Sequence, residues 1–201
     1  VIAIVTLNRI QRLSTRLSMV VDPSLVSLGD FKKMVIESKM YTTNWVFLRS
    51  RQEDKDLLVV LHDSGYHALR TRLQSRSPHW QSRKHAKWLE DTFTDFEALM
   101  AIEKQIMGSL KIFSDYDDLV IKLEAERLVE EEVLPRTDAL MNNLEKIIAY
   151  GGSIRRTENG RLEIASVRLR TLIVSLAIFI IAAGIFLSIY MTHTIVKPVN
   201  R

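Results

Sequence analysis

The sequence predicts an all-α protein: an up-down-up-down four-helix bundle with a two-helix stalk and a transmembrane helix. Three observations carry that prediction. Apolar residues recur at spacings of three and four rather than two, the period of a helix with one buried stripe. Four prolines and seven glycines in 201 residues are too few for the turns of a β-sandwich or for a disordered chain. Residues 171–192, TLIVSLAIFIIAAGIFLSIYMT, carry no charge. As a helix they reach about 33 Å, enough to cross a hydrocarbon core of about 30 Å.

In chain order, the apolar run 1–7 is too short to span and reads as the end of a first transmembrane helix, because Arg9, Arg12 and Arg16 follow at once. Residues 8–22 form the entry half of the stalk, with the stripe Ile10, Leu13, Leu17 and Val20. Asp22-Pro23 is a helix-start signal. The bundle is expected over 23–150, as helices 23–50, 53–75, 79–113 and 115–150. Phe31, Val35, Met40 and Trp45 face inward from the first. Leu57, Val60, Leu61 and Leu69 do so from the second. Leu89, Phe96, Ile106 and Phe113 do so from the third, and Leu119, Leu140, Leu144 and Ile147 from the fourth. Pro135 should kink the fourth helix near Leu134. The exit half of the stalk, 151–170, contains Gly151, Gly152 and Gly160 and is expected to fray or break between Gly151 and Gly160. The transmembrane helix covers 171–192, with Tyr190 at its interface, and 193–201 follow. The chain reads as a fragment of a longer protein, since it starts inside one apolar run and ends just after another.

Charge divides along the same lines. Residues 22–150 hold 18 Lys+Arg and 22 Asp+Glu, a net of −4, whereas the flanks hold ten basic residues and only Glu158 and Glu163. The overall charge of +4 therefore belongs to the segments beside the apolar runs, which suits contact with anionic lipid. It argues against a nucleic-acid partner, which needs a positive face on the folded body. The absence of cysteine excludes disulfides, thiolate metal sites and a cysteine nucleophile. His62 and His67 are five apart and His79 and His85 six apart, neither being the i, i+4 metal arrangement. All four read as solvated helix histidines, and Glu130, Glu131 and Glu132 as a solvated acidic face. With no Walker, Rossmann or Ser-His-Asp pattern, the chain is not expected to be an enzyme or to hold a metal or cofactor.

Two clusters are candidate sites. At the end of the bundle with the first-to-second and third-to-fourth connections, Tyr41, Asn44, Trp45, Arg49, Arg51 and Tyr116 combine arginines with aromatics, which suits a small carboxylate-type ligand. At the other end, no acidic residue occurs between Asp63 and Glu90. There Arg76, Trp80 and Arg83, together with Tyr190, are candidate membrane-interface residues.

The order span, bundle, span, then Ile195-Val196-Lys197-Pro198-Val199, resembles the sensor region of bacterial transmembrane receptors such as methyl-accepting chemotaxis proteins and sensor histidine kinases. The Lys-Pro-Val step, with Ile195, Pro198 and Val199, is similar to the opening of a HAMP linker. The stretches 37–55 and 128–148 look like first and fourth bundle helices of such proteins. The resemblance implies signal transmission from a periplasmic bundle to a cytoplasmic output domain across the inner membrane. It also implies a homodimer, with a small-molecule or protein ligand. The alternative is a membrane-tethered scaffold bundle, which a filled, apolar tip would favour.

Overall fold

A computed structural model describes residues 2–191, with side chains from Ile4 to Tyr190, and every element among them is helical. The helices are α1 (Ile2–Arg16), α2 (Asp22–Phe47), α3 (Gln52–Val60), α4 (Tyr66–Arg76), α5 (Arg83–Ser109), α6 (Leu119–Leu128) and α7 (Leu134–Met191). Wide π-turns at Leu17–Val21, Leu61–Gly65 and Val129–Val133 join α1 to α2, α3 to α4 and α6 to α7 without ending the helical path. The chain forms two compact units, Leu17–Arg155 and the two flanks 1–16 and 156–201. The expectations for 192–201, including Ile195, Pro198 and Val199, lie outside the described residues.

In the larger unit one apolar core draws Phe31, Val35, Leu58, Leu69, Phe93 and Leu144 from α2, α3, α4, α5 and α7. Phe31 anchors an aromatic cluster, with ring centroids 5.4 Å from both Phe93 and Phe96 and 6.4 Å from Tyr66. The ends of the helices are pinned by polar contacts. Where α2 begins, Arg76 donates to Ser27 Oγ (3.0 Å), Trp80 Nε1 to Ser24 Oγ (3.0 Å), and Arg155 pairs with Asp22 (3.0 Å). There His85 also stacks on Tyr150 at 3.5 Å. Where α2 ends, Trp45 Nε1 donates to the Leu110 carbonyl (3.0 Å). Ser82 and Asp118 cap α5 and α6 by accepting from main-chain N–H groups, the ordinary way to satisfy a first turn.

Several expectations are corrected. The first helix ends at Phe47 and the third at Ser109, so Phe113 falls in a short 3-10 turn and is exposed, as is Leu119. Met40, Leu57 and Val60 face outward, and Leu58, Tyr66 and Leu73 take the inward places in the second helical segment. Leu57 and Val60 each stand one residue before an inward position, Leu58 and Leu61, and so lie about 100° off the buried face. The exit segment does not break, since α7 is a single helix through Gly151, Gly152 and Gly160. Gly151 sits against Leu25, where a Cβ would lie 2.8 Å from Leu25 Cδ2, so the absent side chain permits close helix packing.

The smaller unit is α1 beside the second half of α7, running antiparallel. Arg16 pairs with buried Glu158 at 3.2 Å, and farther along Leu7 and Ile10 line one groove with Leu169 and Ile173. Among the described residues α7 is the one helix long and apolar enough to cross a membrane, and none of its apolar stretch is buried.

Candidate functional site

The tip of the larger unit brings the first set of candidates together. Asn44 Nδ2 donates to Asp54 (2.8 Å), and Arg51 reaches the same oxygen at 3.3 Å. Arg49 pairs with Asp117 at 3.0 Å and lies over the Phe113 ring, 5.4 Å from its centroid. Tyr41 is half-buried against the core, and its hydroxyl is held above the usual tyrosine range by burial, then by Glu37 and Asp54. At the centre is a residue that sequence reasoning missed. Lys55 Nζ donates to Tyr116 Oη at 2.7 Å and lies 4.8 Å from the Tyr116 ring centroid and 5.2 Å from that of Trp45. Tyr116 in turn donates to the Trp45 carbonyl at 2.7 Å. Burial lowers the Lys55 ammonium below its ordinary pKa and raises the Tyr116 hydroxyl to about 12. The aromatic pair is thus filled by the protein's own cation.

Midway along the core lies a polar node. Ser38 Oγ donates to the Glu103 carboxyl, 2.8 and 2.6 Å from its two oxygens, and His62 Nε2 lies 2.7 Å from Oε2. Ser38 and Glu103 are fully buried and His62 is 2% exposed. His62 is therefore not a solvated histidine, whereas His67 and His79 are exposed. His62 follows buried Leu58 by four residues, one helical turn, and so shares its inward face. His62 Nδ1, Thr42 Oγ1 and Thr137 Oγ1 are buried with no hydrogen-bond partner. The sequence signal for this node was legible: Glu103 falls on the α5 stripe Phe96, Leu99, Ile106 and Leu110, and Ser38 on the α2 stripe Phe31, Val35 and Trp45.

At the opposite end Arg76 and Trp80 are engaged by Ser27 and Ser24, while Arg83 is exposed at the start of α5. Tyr190 belongs to the smaller unit and is exposed. Among the described residues no group of His, Asp and Glu could hold a metal ion. The chain matches no protein-family model, no curated protein and no solved structure.

Proposed function

We propose that the chain is the sensor and transmembrane signal-transmission segment of a bacterial receptor of the chemoreceptor or sensor-kinase type. In this reading the larger unit is an up-down-up-down four-helix bundle on the periplasmic side of the inner membrane. The flanks are its two-helix stalk, 171–192 is the second span, and a HAMP linker leads to a cytoplasmic output domain. A ligand biases two bundle states that differ by about 1–3 kcal/mol in its affinity. The observation that carries the reading is helix α7: one unbroken helix holds Leu140, Leu144 and Ile147 in the core and the wholly exposed apolar stretch beyond residue 170. An uncharged, mostly apolar run of twenty residues, 171–190, with none of them buried, belongs in lipid. Val26, Met40 and Phe47, exposed on α2 at multiples of seven residues, support pairing with a second copy.

Helical phase tests it. The chain is fused to a reporter output domain, and one residue is inserted after Arg161, which rotates everything downstream by about 100°. The insertion should change the output, and a seven-residue insertion should restore it. A reporter indifferent to both insertions rejects transmission. Sidedness is read from a Ser75→Cys variant, which should react with an impermeant thiol reagent in intact spheroplasts. Labelling only after lysis would place the bundle in the cytoplasm. The filled Trp45–Tyr116 pair favours a second reading, a membrane-tethered scaffold without a ligand at the tip. That reading predicts indifference in the phase experiment.

A further inference from the structure

We infer that the smaller unit carries a binding site for the phosphate of an anionic phospholipid, held by Arg9, Arg161 and Arg168. The inference rests on the membrane reading of 171–192. A groove of about 150 Å³ between α1 and α7 is lined by Thr6, Arg9, Arg161, Ile164, Ala165 and Arg168. Three arginines from two helices thus line one concave surface. All three arginines are exposed, and none has an anionic partner among the described residues. Of the two carboxylates close in sequence, Glu158 is buried and already engaged by Arg16, and Glu163 is exposed and does not line the groove.

Position decides the ligand. Arg168 lies three residues before the apolar stretch, and Arg161 two helical turns earlier, about 10 Å along the axis. On the antiparallel partner, Arg9 follows the apolar run 1–7 by two residues. Two independent polar-to-apolar boundaries therefore meet within about one turn, the depth at which phospholipid head groups lie. Guanidinium forks match phosphate oxygens in pairs, and three unpaired ones crowd like charges that an anion relieves. Arg170 faces a different groove, with Leu7, Ile10, Leu169 and Ile173, and is the internal control.

The test uses the whole 201-residue chain in detergent micelles, with lipid retention read by native mass spectrometry. Phosphatidylglycerol should be retained over phosphatidylcholine of the same acyl chains. The variant Arg9→Gln/Arg161→Gln/Arg168→Gln should weaken phosphatidylglycerol binding roughly a hundredfold, about fivefold per arginine. The variant Arg12→Gln/Arg156→Gln/Arg170→Gln removes the same charge elsewhere and should weaken it far less. Equal retention of the two lipids, or equal loss in the two triple variants, overturns the site and leaves the span intact. Competition by inorganic phosphate as effective as by the lipid overturns the assignment to a membrane lipid. Alkaline extraction of membranes keeps the failures apart: a chain released into the soluble fraction overturns the span, and the site with it.

Discussion

His62 Nε2 lies 2.7 Å from Glu103 Oε2 inside an otherwise apolar core, with Ser38 Oγ bonded to the same carboxyl group. A group buried this fully loses its water and depends on its partners, so removing one member strands the others. We expect His62→Ala to cost about 3 kcal/mol, more than the loss of one exposed contact would explain. Ser38→Ala should cost about 1–2 kcal/mol. The double variant His62→Leu/Glu103→Leu should recover most of the stability, because it leaves no polar group behind. Thermal unfolding across the double-mutant cycle measures the coupling. Strictly additive losses would show that the three residues do not act as a unit.

Tyr116 and Lys55 tie stability to alkaline pH. The Tyr116 hydroxyl is raised to about 12, first by burial and then by Asp115, against an ordinary value near 10. A group whose folded pKa lies above its unfolded one contributes stability that is complete below pH 10 and is lost as the pH rises toward about 12. Lys55 is shifted the other way, so its burial penalty is relieved as the pH climbs toward its ordinary range. The net expectation is a stability that holds to about pH 10 and then falls, a fall that Tyr116→Phe makes shallower. Tyrosinate absorbance should show folded Tyr116 and Tyr66 ionising after the same residues in denaturant. Tyr66 is raised by burial and by its hydrogen bond to Glu97.

How much of this was legible follows from what periodicity encodes. The all-α class and the long apolar helix were readable because repeated spacing and an uncharged run are local signals. The inward face of the second helical segment was not, because exposed Leu57, Val59 and Val60 carry the same apolar signal as buried Leu58 and Leu61. His62 was misplaced because a histidine one turn after buried Leu58 carries no apolar signal of its own. Lys55 was missed because its partner Tyr116 is 61 residues away, and cation–π pairing at that distance has no sequence signature. The three glycines at 151, 152 and 160 suggested a break, but a helix held by tertiary packing overrides a propensity cost of about 1 kcal/mol each.

Those glycines separate into two kinds. At Gly151 an added Cβ would lie 2.8 Å from Leu25 Cδ2, whereas Gly152 and Gly160 face open space. Gly152→Ala and Gly160→Ala should each stabilise the helix by up to about 1 kcal/mol. Gly151→Ala should instead gain nothing or lose about 1 kcal/mol, since Leu25 must move from its place to admit it. Leu25→Ala should remove that obstacle, so the pair of substitutions should show favourable coupling. Unfolding midpoints for the four single variants and the Gly151→Ala/Leu25→Ala pair decide it, and a Gly151→Ala protein as stabilised as Gly152→Ala would contradict the close approach.

Two of the π-turns stand at the same distance from a proline: Leu17–Val21 ends two residues before Pro23, and Val129–Val133 two residues before Pro135. The proline has no N–H to offer, and its ring collides with the carbonyl four residues back, which here is Met19 or Glu131 inside the turn. Opening the turn to i→i+5 pairing, as in the Leu134 N–H bond to the Val129 carbonyl, moves that carbonyl away. A π-turn is an α-helix with one residue inserted, so deleting one exposed residue from it restores α geometry without rotating either flank. Deleting Glu131, an exposed residue whose side chain pairs with the exposed Arg127, should therefore cost about 3 kcal/mol while Pro135 remains, because the proline is then forced into regular helix. In a Pro135→Ala background the same deletion should be neutral or stabilising, with Val133, Leu140 and Leu144 still in the core. If the deletion is tolerated equally in both backgrounds, the proline does not set the turn.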